Sequence, residues 1–188
     1  MEHPTPQQAI AAFFNDFTIC IKMLLDAGHT RPALVLLYST IDVSASLVRP
    51  ETEPDTKAGH FKKWAEDYMI GPSRLTIAAD DLWGARAGLL HTHSPSSSDS
   101  RQGKARKLAY YLARALTPDM QRDWESKLES VRMRGELPVD VDVLYAAFED
   151  GVRRFLADIQ RDPELEKRAV YHSSKLFGVL NYVAQPDQ

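Results

Sequence analysis

Apolar residues recur three and four positions apart through most of this chain, the spacing of amphipathic helices. Ile10, Phe13, Phe14, Phe17, Ile21, Leu24 and Leu25 form one wide stripe. Thr5 followed by Pro6 predicts the start of that helix, and Gly28 its end in a positive-φ residue. Pro32 then opens a second helix. In Leu34-Val35-Leu36-Leu37-Tyr38 the apolar side chains cover nearly every face, which predicts a central, buried position. Asp42 is the exception on it. A carboxylate on a buried helix needs a partner, and a structural arginine or a capping role is the expectation.

Arg49-Pro50 ends this helix, and a polar loop leads to a short helix over residues 61–70, closed by Gly71-Pro72-Ser73. The next helix is predicted over residues 75–91, and a Ser-rich loop follows at residues 94–100. Leu108, Tyr111, Leu112, Ala115 and Leu116 predict a helix, because β-branched residues are absent there. Thr117-Pro118 starts another, carrying Met120, Trp124, Leu128 and Val131. Leu144, Phe148, Val152, Phe155 and Ile159 mark a long helix, and Asp162-Pro163 caps a last one with Leu165, Ala169, Leu176 and Leu180. No strand pattern emerges. The expectation is an all-α, single-domain bundle of six or seven mostly antiparallel helices over residues 1–188. Its core spans about residues 6–115, with additional C-terminal helices at about 117–183.

Composition narrows the class. The 188 residues are 44% hydrophobic and 26% charged, as in an ordinary globular protein. One cysteine, Cys20, excludes an internal disulfide; its apolar helical setting predicts a buried, inert thiol. The N-terminal stretch has no secretory pattern, and the longest apolar run, residues 33–48, falls short of a bilayer span and contains Asp42. A cytoplasmic protein without membrane contact is the expectation. The net charge of −3 argues against a general nucleic-acid coat. The charge is uneven, however: Arg101, Lys104, Arg106, Lys107 and Arg114 lie in a stretch without acids, whereas residues 140–166 hold eight acids against three arginines. Arg101, Lys104, Arg106 and Lys107 are therefore candidate phosphate contacts, the alternative being a solvated face that balances the acidic segment.

The chemistry concentrates in Arg86-Ala87-Gly88-Leu89-Leu90-His91. Arginine suits a phosphate or a developing oxyanion, and histidine moves a proton near neutral pH. On an ideal helix Arg86 joins Leu82, Leu89, Leu90 and His93 on the core-facing side. His91 falls instead with Gly84, Ala87 and Gly88, a small-residue face that admits a close neighbour from this chain or from a second copy. A working pair then requires the helix to end near His91. An Arg86 tied to Asp42 in the core, with His91 facing open solvent, would remove the catalytic reading.

This Arg-x4-His pair at the end of an inner helix resembles the signature of the HEPN superfamily of bacterial ribonucleases and ribonuclease-like domains. The likeness covers roughly residues 6–115. It implies a homodimer, an RNA substrate cut without a metal or other cofactor, and Arg86 and His91 as the catalytic pair; Asp42 and His93 are candidate auxiliaries beside them. Many active members carry a polar residue directly after the arginine, where this chain has Ala87.

Other readings of the same residues are a non-catalytic dimeric helical module, with a protein partner, and a nucleotide or RNA binder without turnover. A metal site at His91-Thr92-His93 is disfavoured. Residues two apart diverge by about 200° on a helix, and Asp80 and Asp81 lie some three turns earlier. Trp64, Trp83 and Trp124 fit apolar stripes and are expected in the core.

Overall fold

The computed structural model describes residues 4–73, 75–92 and 98–176. Among them are nine α-helices and one two-stranded sheet. Helix α1 (Pro6–Asp26) begins at a capping box: Thr5 Oγ1 accepts from the Gln8 amide, and Gln8 Oε1 accepts from the Thr5 amide. Gly28, at φ 78°, makes the turn that only glycine takes without strain. The three-residue link sends α2 (Thr30–Val48) back along α1. As expected, α2 is central: Leu34, Leu37, Tyr38, Ile41, Ala45 and Leu47 are buried.

Helix α3 (Ala58–Trp64) continues into a π-helical turn over Ala65–Ile70, closing the short helix expected there. Helix α8 (Val141–Arg161) is the long C-terminal helix, with Leu144, Phe148, Val152, Phe155 and Ile159 all buried. Asp162 is the single residue between it and α9 (Pro163–Leu176), and its Oδ1 accepts from the Glu164 and Leu165 amides. Leu180, expected on this last helix, lies outside the described residues. The core is an aromatic cluster where α1, α3 and α8 meet. Phe155 sets its ring 5.8 Å from Phe14, 5.9 Å from Trp64 and 5.3 Å from Tyr68, between centroids.

The largest departure from the all-α expectation is a pair of parallel strands. Lys107–Tyr111 (β1) pairs in register with Glu136–Asp140 (β2), Lys107 opposite Glu136 and Tyr111 opposite Asp140. The stretch expected to be helical is thus strand followed by a 3-10 turn at Ala113–Ala115. Short apolar runs take their conformation from the partner they find, and this partner lies some thirty residues downstream. Pro138 is tolerated because β2 is an edge strand in a two-stranded sheet. The helix expected after Thr117 is divided into α6 (Pro118–Arg122) and α7 (Trp124–Met133).

Three smaller expectations also change. Cys20 is exposed on α1 rather than buried. Trp124, packed on Tyr111, and Trp83 are half-buried; of the three tryptophans Trp64 alone is fully in the core. Both α1 and α2 are long and apolar enough, by length and composition, to cross a membrane, although α2 packs mostly inside the fold.

Candidate functional site

Helix α4 (Ala79–Thr92) carries the candidate residues. It begins four residues later than the apolar pattern predicts, because Asp81 caps it. Asp81 Oδ2 accepts from the Ala78 amide at 2.9 Å, satisfying a donor that the first helical turn leaves open. Asp81 also grips Arg106: Oδ1 takes its backbone amide at 2.7 Å, and Oδ2 takes Nε at 3.1 Å and Nη2 at 2.6 Å. Burial pushes the Asp81 carboxyl up, but the bonds from Arg106 and the Ala78 amide outweigh it and hold the group below its ordinary range.

The core side of α4 differs from the helical-wheel expectation. Asp81, Leu82, Gly84, Ala85 and Gly88 are buried; Arg86, Ala87, Leu89 and Leu90 are half-buried. The small residues Gly84 and Gly88 are covered by the chain itself, as α4 lies against α2, α3 and β1. They are therefore not an open face awaiting a second copy.

Arg86 finds the partner foreseen for Asp42. Its Nε donates to Asp42 Oδ2 at 2.8 Å, with the two side chains 23% and 22% exposed, and its guanidinium sits 5.0 Å from the centroid of the Trp83 ring. The pair lies at the edge of the core rather than inside it. The two terminal nitrogens of Arg86 make no hydrogen bond among the described residues. His91 occupies the last turn of α4, but its side chain lies outside what the structure describes, as does the whole of His93. Of the two conditions that would remove the catalytic reading, Arg86 meets its own only in part; the one on His91 falls outside the described residues.

The basic run divides. Lys104, Arg106 and Lys107 line a cleft of about 520 Å³ together with Arg134 and Gly135, while Arg101 belongs to the short helix α5 (Ser98–Arg101) and is not among its walls. The Ser-rich loop is thus helical from Ser98. Asp80 and Asp81 also face the cleft, but Asp80 pairs with Lys62 and Asp81 with Arg106. Lys104 and Lys107 make no ion pair among the described residues, so the cleft keeps an excess of positive charge. Arg134, which the sequence reading missed, arrives because β2 pairs with β1; it reaches Glu136 at 3.4 Å. Its only sequence signal is its position just before Gly135.

The cleft opens at the N-terminal end of α4, and His91 lies at the other end. Ten residues of helix separate Asp81 from His91, about 15 Å along the axis. The cations of this cleft therefore lie at the opposite end of α4 from His91.

Beneath β1, the Tyr38 and Tyr110 hydroxyls meet at 2.5 Å. Burial pushes both phenols well up, so they stay protonated and tie α2 to β1. The result is a helical bundle carrying a two-stranded parallel ribbon, with an arginine–aspartate pair and a basic cleft along one helix. Neither family models, nor characterised proteins, nor solved structures give a match to this chain.

Proposed function

We propose that this protein is a HEPN-like, metal-independent endoribonuclease, working as a cytoplasmic homodimer. The observation that supports it most is the way Asp42 holds Arg86 through Nε. The guanidinium is fixed in direction, and its two terminal nitrogens are left to bind an anion, on the helix whose last turn carries His91. In this reading the 2′-hydroxyl of RNA attacks the adjacent phosphorus and the bond to the 5′-oxygen breaks. Arg86 stabilises the charge that builds on the phosphoryl oxygens. His91 takes or returns the proton, and Lys104, Lys107 and Arg134 hold a phosphate further along the strand.

The test is cleavage of single-stranded RNA by purified protein with chelator present. His91→Ala is expected to lower the rate by about 100-fold or more with an unchanged circular dichroism spectrum. Activity that the mutant retains, or that chelator abolishes, rules the reading out.

A second reading has its own support. Asp42 neutralises much of the charge on Arg86, and Trp83 covers one face of the guanidinium, as in a structural pair. A non-catalytic dimeric module, or an RNA or nucleotide binder, then remains, using the basic cleft alone. It predicts salt-sensitive RNA binding, weakened by Lys104→Ala and Lys107→Ala, with no cleavage.

A further inference from the structure

A second cleft, between the start of α2, the middle of α4 and β1, has no role in the chemistry assigned to Arg86 and His91. It encloses about 470 Å³, within the roughly 300–1,000 Å³ of small-molecule sites. Leu34, Ala85, Leu89 and Leu108 supply apolar wall. Two charged residues of opposite sign, Arg31 and Glu136, also line it. Arg31 is exposed and makes no ion pair or hydrogen bond among the described residues. Glu136 is half-buried, and among the described residues its carboxylate has only the long 3.4 Å contact with Arg134. The two do not pair with each other.

A cleft with apolar wall, one cation unpaired among the described residues and one acceptor-only carboxylate fits an anionic ligand with a ring. Apolar wall takes the ring faces, Arg31 takes a phosphate, and Glu136 takes N–H donors on the ring edge. Among the nucleobases, guanine presents two adjacent N–H donors on its Watson–Crick edge, the pattern that a carboxylate accepts with both oxygens. Adenine and cytosine set a donor beside an acceptor there, and the uracil donor lies between two acceptors. We propose that this cleft binds a guanine nucleotide, with Glu136 reading the base and Arg31 holding its phosphate. Ala85 and Leu89 stand on the same helix as Arg86 and His91, and in the ribonuclease reading this cleft is a base subsite along α4. That placement rests on the ribonuclease reading; the binding itself does not.

Isothermal titration calorimetry of the full chain with guanosine 5′-monophosphate, adenosine 5′-monophosphate and guanosine tests it. The expected result is at least tenfold tighter binding of guanosine 5′-monophosphate than of its adenosine counterpart. Glu136→Gln should erase that preference, and Arg31→Ala should lower the affinity to that of guanosine. Leu89→Trp should fill the cleft and abolish binding; if that variant fails to fold, the two substitutions of charged lining residues carry the test. Equal affinity for the two monophosphates, or a preference that survives Glu136→Gln, overturns the inference. Guanine preference without RNA cleavage removes only the ribonuclease reading, and cleavage without guanine preference removes only this one.

Discussion

The α1–α3–α8 core and the α4–β1 margin are held together by different physics. In the core, Phe14, Phe61, Trp64, Phe148 and Phe155 are all 1% exposed or less, and the rings of Phe14 and Trp64 meet that of Phe155 edge to face. At the margin the anchors are polar: Asp81 with Arg106, Asp42 with Arg86, and the Tyr38–Tyr110 hydroxyl pair. Apolar burial is strong but non-directional, whereas these contacts fix orientation at little net gain in stability. Substitutions in the core should therefore lower stability most, and substitutions at the half-exposed margin positions should mainly change what the protein binds.

The sharpest way to break that contrast is Phe155→Ala. It removes a fully buried ring with three aromatic neighbours, which should cost about 3–5 kcal/mol and lower the melting temperature by roughly 10 °C. Trp83→Ala, at the half-buried margin, should cost less than half as much. Equal losses in thermal or urea unfolding would show that the two regions are not distinct.

Asp81 is the next test, because it is the margin's one nearly buried carboxylate, with its side chain 4% exposed. Asp81→Asn keeps one acceptor oxygen, so it cannot hold both the cap at Ala78 and the Arg106 amide, and it loses the ion pair with the Arg106 guanidinium. With Arg106 half exposed and able to return to water, the loss should be about 2 kcal/mol. The pH dependence has a definite sign. The folded Asp81 carboxyl lies below its ordinary value of 3.8, so its contribution is complete above that value and is lost as pH falls through the depressed one. The wild type should lose stability in acid more steeply than Asp81→Asn does, below pH 3.8. Parallel curves would remove Asp81 as the anchor.

How far these regions were legible from sequence follows the same division. Core helices announce themselves by period, so the stripes of α1 and α8, the central place of α2 and the Thr5 and Asp162 caps could be read directly. The β1–β2 pair could not. Nothing local in Lys-Leu-Ala-Tyr-Tyr distinguishes a strand from a helical turn, and its partner lies beyond two intervening helices. The candidate site inherits that gap. Asp42 and Arg86 were readable as a carboxylate in need of an arginine. Arg134 and Glu136 reach their clefts only through the strand pairing, and so had no signal of their own. Cys20 fails for a simpler reason: a broad apolar stripe does not say how far round the helix the fold will cover it.

Gly151 examines the core where it meets the π-helical turn. A Cβ there would lie 3.0 Å from the Tyr68 carbonyl oxygen and 3.2 Å from Met69 Cγ. That carbonyl already accepts Arg154 Nη1 at 2.9 Å and has little room to move. Gly→Ala in a helix normally gains about 1 kcal/mol, and overpacking costs about 1–3 kcal/mol. The balance should be a net loss of about 1 kcal/mol. A stabilised Gly151→Ala in urea unfolding would mean that the turn yields, and that this edge of the core is softer than its packing implies.

The smallest expected change in stability is the most informative about function. The Asp42–Arg86 contact is a single Nε–Oδ2 bond between side chains about a fifth exposed, so a double-mutant cycle with Asp42→Asn and Arg86→Ala should give a coupling of only about 1 kcal/mol. If Asp42 merely completes a structural pair, its loss should touch stability alone. If it aims Arg86 at a phosphate, Asp42→Asn should also cut RNA cleavage by about tenfold or more, because a misdirected guanidinium no longer meets the charge in the transition state. Arg86→Lys separates the two further. It keeps the positive charge beside Asp42 but loses the forked terminal donors, so a structural pair tolerates it while the proposed site does not. Cleavage that survives Arg86→Lys would leave α4 as scaffold and move the search for chemistry to the basic cleft.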